Sequence, residues 1–189
     1  MHTAAILGQS AGASNASSGG GAFFFIQAGV IVIGMVVHMV LDRHGDRRTK
    51  PRLIELALLW VIVGVGAWAI VAGLGHIGPT SNSLAKQIGY RQSMFQWEIG
   101  WADIAIGVLG VGCVWRRDGW LDAAVIALAV SYGGDAIGHI MQYSAHNNHA
   151  GSNVWAIPSD ILQPIAAVLL LILYRRTRAA VPNASADRQ

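Results

Sequence analysis

The chain has 189 residues, of which 53% are hydrophobic and only 12% charged, with a formal net charge of +3 and a mean hydropathy of +0.46. That length allows one domain, and that composition excludes a soluble globule with a charged surface. A single cysteine, Cys113, excludes an internal disulfide and reads as a packing residue.

In chain order, residues 1–22, MHTAAILGQSAGASNASSGGGA, are rich in Ser, Gly and Ala and read as a flexible lead-in. They lack the basic start of a signal peptide, and the apolar run follows the small residues instead of preceding them. A membrane-crossing helix needs about 20 mainly apolar residues, and five such runs follow, at 23–41, 53–77, 96–115, 120–143 and 157–174. None alternates with the period of a barrel strand, and lipid admits only helices and closed barrels. The sequence therefore predicts an all-α polytopic membrane protein, a bundle of five transmembrane helices over 23–174. Short links make successive helices antiparallel neighbours, and residues 175–189 form a basic cytoplasmic tail. Glycines within the spans, such as Gly66, Gly73, Gly107 and Gly110, predict close helix approach.

Eleven of the thirteen basic residues fall in the first link, the third link and the tail. The opposite side carries only Lys86 and Arg91. The positive-inside tendency then places the N-terminus outside and the C-terminus in the cytoplasm. The pI of 9.4 reflects this topology and a basic patch against anionic lipid. Nucleic-acid binding lacks the motif or aromatic support it would need.

Ionisable residues inside such spans mark functional sites, and on this topology they converge. Glu98 lies near the outer mouth of the third helix, with Asp103 about 7 to 10 Å deeper. On the outward-running fourth helix, Asp135 lies about 12 Å and His139 about 6 Å below Tyr143. His76 ends the second helix, Asp160 and Gln163 open the fifth, and Gln27 lies in the outer half of the first. Asp135 and His139, spaced i, i+4, share one helical face. Glu98 and Asp103, five apart, are turned by about 140° from one another. The segments GLGHI (73–77) and AIGHI (136–140) echo each other and would set His76 and His139 at one height.

Three readings of this cluster stay open: a structural hydrogen-bonded pair, a proton relay, and a metal site. For the last, Glu98, His139, Asp135, Asp103 and His76 are the candidate ligands, and imidazole with carboxylate suits Zn, Fe or Mn. Catalysis would then use a metal-activated water or a Glu and His acid/base pair on a lipid-soluble substrate. His146 and His149 belong to a polar outer link and read as solvated. At the cytoplasmic ends, pairing with Arg52, Arg116 or Arg117 accounts for Glu55, Asp118 and Asp122. The chain contains no P-loop, dinucleotide fingerprint, HExxH, nucleophile elbow or CxxC.

IGYRQSMFQWEIGWADIAIGVLG, then GDAIGHIMQ, then DILQPIAAVLLLILY resemble a family of small bacterial polytopic membrane proteins of unknown function. Its pattern is an FQxE opening, a GVLG continuation, an AIGHI-like helix and a closing apolar span. The resemblance covers residues 88–174 and matches at Gln96, Glu98 and His139, whereas Asp103 and Asp135 depart from it. It implies a helical inner-membrane protein and no particular activity. Beyond the lipid bilayer, the expected partners are a second copy of the chain or a larger membrane complex in which this protein is a structural or accessory subunit.

Overall fold

A computed structural model of the chain describes residues 4–88 and 90–179, with side chains described from Gly21 onward except at Gln87. Much of the lead-in expected over 1–22 and of the tail expected over 175–189 lies outside the described side chains.

The described chain is all α-helix: α1 (Ala4–Leu41), α2 (Lys50–Ile77), α3 (Ser81–Gln87), α4 (Phe95–Gly112), α5 (Gly119–Ala145) and α6 (Gly151–Ala179). Local chemistry explains several boundaries. Pro51 sits in the first turn of α2, where its missing N–H has no partner to lose. Asp118 caps α5 by accepting the Trp120 amide at 3.0 Å. Asn147, at φ 52°, makes the left-handed turn that Asn tolerates between α5 and α6.

Four spans, Gly21–Leu41, Lys50–Ile77, Gly119–Ala145 and Gly151–Ala179, are long and apolar enough to cross a membrane. The helix α4 is not among them, because Gln96, Glu98 and Asp103 dilute its 18 residues. Large apolar side chains cover the exterior: Phe25, Ile33, Val130, Ile137 and Leu162 are all exposed. In water such a surface would drive association, whereas against lipid it is an ordinary exterior. The four apolar helices fit a membrane-embedded protein.

The helix α2 packs against α4, α6 and α1, while α5 packs against α6 and α4. The α2–α4 contact is a glycine seam. A Cβ on Gly66 would lie 2.9 Å from Gly107 O and from Gly110 Cα, and one on Gly100 would lie 2.8 Å from Gly73 O. Only hydrogen fits there, so the two backbones touch. Gly66 opposite Gly107 and Gly73 opposite Gly100 define one antiparallel register. Extended by one turn, it brings His76 to Gln96.

The bundle has a filled half and a hollow half. Leu58, Ile62, Val65, Cys113, Leu121, Val125 and Leu128 form the continuous core, toward the end where the basic residues gather. At that end Arg52 joins Asp42 at 2.8 Å and Glu55 at 3.0 Å, Arg117 joins Glu55 at 2.5 Å, and Arg175 pairs with Asp122. Glu55 thus has the expected arginines, while Asp122 pairs with Arg175 across to α6. Cys113 is fully buried and donates to Leu109 O at 3.4 Å.

Candidate functional site

The hollow half contains a cavity of about 780 Å³ with walls from α1, α2, α4, α5 and α6 and from the α3 link. Why the sequence leaves it open is visible in α5. A Cβ on Gly134 or Gly138 would meet nothing within 4 Å, and both residues line the cavity. These glycines remove bulk from a wall, the opposite use to those of the α2–α4 seam.

Inward direction on α4 is set by the stripe Gln96, Gly100, Gly107 and Gly110, all buried, and Asp103 falls on the same i, i+4, i+7 line. On α6 the buried stripe is Ala156, Asp160, Pro164 and Ala167. His76, Asp103, Asp135 and His139, four of the five residues expected to converge, all line the cavity. Glu98 does not. It lies about 200° around α4 from Gln96, on an exposed face with Trp97 and Trp101, whose rings meet edge to face at 6.1 Å.

Asp160, outside the expected ligand set, also lines the cavity and is only 8% exposed. Its partner is His139, whose Nε2 lies 3.7 Å from Asp160 Oδ2. Asp160 thus joins the expected i, i+4 neighbours Asp135 and His139. Asp135 has Ser131 as a hydrogen-bond neighbour and feels both His139 and His76 electrostatically, while the carboxylate facing the His139 ring nitrogen comes from α6.

Asn153 sets the tautomer of His139. The Asn153 side chain is fully buried, and its Nδ2 donates to His139 O at 3.2 Å and to Asn148 O at 3.0 Å. That fixes Oδ1 toward the imidazole, 2.7 Å from His139 Nδ1, so Nδ1 carries the hydrogen. Nε2 is then left as the proton acceptor facing Asp160. His76 is held in the same way, its Nδ1 against Gln96 Oε1. Both histidines of the GLGHI and AIGHI echo are thus anchored through Nδ1 by a side-chain amide.

The Asn-rich link between α5 and α6 supports this arrangement. Asn148 Nδ2 donates to Ile88 O at 2.6 Å, tying the link to the segment after α3. His149 stays exposed, paired with Asn147 at 2.6 Å and stacked edge to face on Tyr143; His146 is exposed as well.

Residues 21–180 match the model of a family of unknown function, DUF6790. The chain belongs to that family. No curated protein and no solved structure matches the chain.

In this DUF6790 protein the cavity is chemically asymmetric. Three carboxylates, Asp103, Asp135 and Asp160, face it and act on one another electrostatically. No Lys or Arg lines it among the described residues. Rings of Phe23, Phe24, Trp68, Tyr90, Phe95 and Tyr132 make up much of the remaining wall. Trp68 packs on Phe23 at 4.9 Å, and its indole N–H is buried with no acceptor among the described residues. Gln27 reaches the wall from α1 and exchanges amide hydrogen bonds with Gln163 at 3.0 and 3.4 Å.

Such a wall is acidic and aromatic. It suits a transition metal poorly: among the described residues no three His, Cys, Asp or Glu side chains converge as a metal-holding group, and tight metal sites need three or four ligands at bonding distance. The Nδ1 atoms of both imidazoles are already committed to amides.

Proposed function

We propose that the protein is a plasma-membrane protein that crosses the bilayer five times, N-terminus outside, and exchanges protons through the cavity in its outer half. The observation that carries this reading is three carboxylates lining one cavity, accompanied by two imidazoles and, among the described residues, no permanent cation. Like charges in a poorly solvated space cannot all persist uncompensated. Compensation comes from protons, or from a cation that displaces them.

The exchanging pair is Asp160 and His139. A proton on Asp160 can pass to His139 Nε2, leaving a carboxylate beside an imidazolium, and the reverse step restores the neutral pair. Asn153 holds the ring so that Nε2 stays toward Asp160 throughout. Asp103 and Asp135 extend the network toward His76.

The fifth span is α4. Its polar side chains face the cavity or, as with Glu98, the end of the helix near the interface, so the bundle needs no four-span alternative. The ion pairs of Arg52, Arg117 and Arg175 at one end, and the absence of such pairs at the other among the described residues, support the cytoplasmic assignment of the basic end. Reporter fusions in the links at 42–49 and 146–150 test the orientation. The first should report a cytoplasmic side and the second an external one.

Infrared difference spectroscopy across pH tests the proton reading. The wild type should show a carboxylic acid C=O band that changes with pH. Asp103→Asn, Asp135→Asn and Asp160→Asn should each remove part of the change. A pH-independent band in the folded wild type would end the proposal.

A further inference from the structure

A second hollow lies on the outside of the bundle, in the seam between α5 and α6. It measures about 560 Å³ and is open along its length, and its walls are almost wholly apolar, with Ile137, Ile140, Ile161, Ile165 and Leu169 among them. Gly133 forms part of its floor, and a Cβ there would meet nothing within 4 Å. In a bilayer-embedded bundle an exposed apolar groove of this kind would face acyl chains.

One residue belongs to both hollows. Asp160 is shared by the linings of the external groove and the internal cavity, so the two hollows adjoin at that turn of α6. Behind it the cavity offers two further carboxylates and a wall of aromatic rings. Carboxylates with aromatic faces are the combination that recognises organic ammonium groups. An alkyl chain lying in the groove would bring a head group to Asp160.

We infer that the site receives an amphiphilic amine directly from the membrane, its alkyl tail lying in the α5–α6 groove and its ammonium group passing Asp160 into the aromatic and acidic cavity. This rests on the reading of the cavity as a proton- and cation-exchanging site. A protonated amine replaces a proton on the cavity carboxylates, so uptake of one ammonium releases one proton, and charge in the cavity is conserved.

Binding of radiolabelled dodecylamine to the full chain in detergent tests the inference, with butylamine lacking the tail, dodecanol lacking the charge and dodecyl sulfate reversing it. Dodecylamine should bind saturably, about one per chain, at least tenfold more tightly than any of the three. Asp160→Asn should weaken it at least tenfold. Gly133→Phe, which fills the groove without touching the cavity, should bring dodecylamine down to the level of butylamine and leave butylamine unchanged. Size-exclusion profile and helical content establish that each variant is folded, and Gly133→Phe decides the matter if Asp160→Asn is not. Equal binding of dodecanol, or undiminished dodecylamine binding in folded Gly133→Phe, would overturn the proposal. Absent amine binding alongside an intact infrared titration would remove the amine and leave proton exchange standing; absence of both would remove the reading beneath it as well.

Discussion

Asn153 shows how much one buried amide decides. It spends both hydrogens on backbone carbonyls and its oxygen on His139, so Asn153→Ala takes a donor from the Asn148 carbonyl and the acceptor from the His139 imidazole N–H. Each buried unsatisfied group costs about 1–3 kcal/mol, and the variant should unfold earlier in a detergent titration. Asp42 gives a different prediction. Lying just past the end of α1, its carboxyl is held down to about 2 from 3.8, first by the hydrogen bond from Arg52. Because the folded value is the lower one, its contribution is complete above pH 4 and is lost as pH falls through 4 toward 2. Asp42→Asn should therefore flatten the acid limb of stability between those values, measured by thermal unfolding at successive pH. Depth along a helix is legible from sequence at about 1.5 Å per residue, which is why His76, Asp103, Asp135 and His139 were within reach of it. Direction around the helix is not given by depth. Glu98 shared the level and missed the cavity, and the stripe Gln96, Gly100, Asp103, Gly107, Gly110 was the signal that separates them. The α6 stripe Ala156, Asp160, Pro164, Ala167 would have added Asp160 in the same way.

At the scale of helices, glycine has two uses that composition cannot tell apart. Across the α2–α4 seam a Cβ on Gly107 would come within 2.5 Å of Gly66 O, a backbone atom that cannot step aside. Gly107→Leu should separate the helices and cost at least the 1–3 kcal/mol or so typical of overpacking, and with the register disturbed His76 should lose Gln96. Leucine at Gly138 meets open space and should leave stability nearly unchanged while reducing cavity volume. Thermal unfolding of the two variants side by side checks the contrast. The long apolar runs were readable because lipid demands length and hydrophobicity together. The short α3, SNSLAKQ, was not, since seven residues, five of them polar, are too few to carry a periodic signal. The start of α6 at Gly151, earlier than expected at 157, depends on Asn153 being buried by tertiary contacts that no local pattern announces.

For the whole molecule, the division into filled and hollow halves predicts uneven local stability. The largest fully buried side chains are Leu56, Leu58, Ile62, Leu121, Leu128, Val65, Val125 and Cys113, all toward the basic end, with Asn153 the exception. Local opening is easiest where buried apolar contact is sparse. In hydrogen exchange in micelles, amides of 56–65 and 121–128 should be the slowest, and those of 131–139 and 152–160 should exchange sooner. Uniform protection along α5 would contradict this. The filled half then serves as a fixed base, joined by the ion pairs of Arg52, Arg117 and Arg175, against which the other half can adjust.

The two prolines of α6 give that adjustment a mechanical form. Pro158 and Pro164 lie inside the helix, and each removes one hydrogen bond, to the carbonyl of Val154 and of Asp160 respectively. Between them stands a short lever, residues 159–163, carrying Asp160 toward His139 on α5 and Gln163 toward Gln27 on α1. A tilt of that lever moves both contacts at once. Occupancy at the carboxyl group would then be felt as torque on α1, the helix that carries Phe23 and Phe24 into the cavity wall.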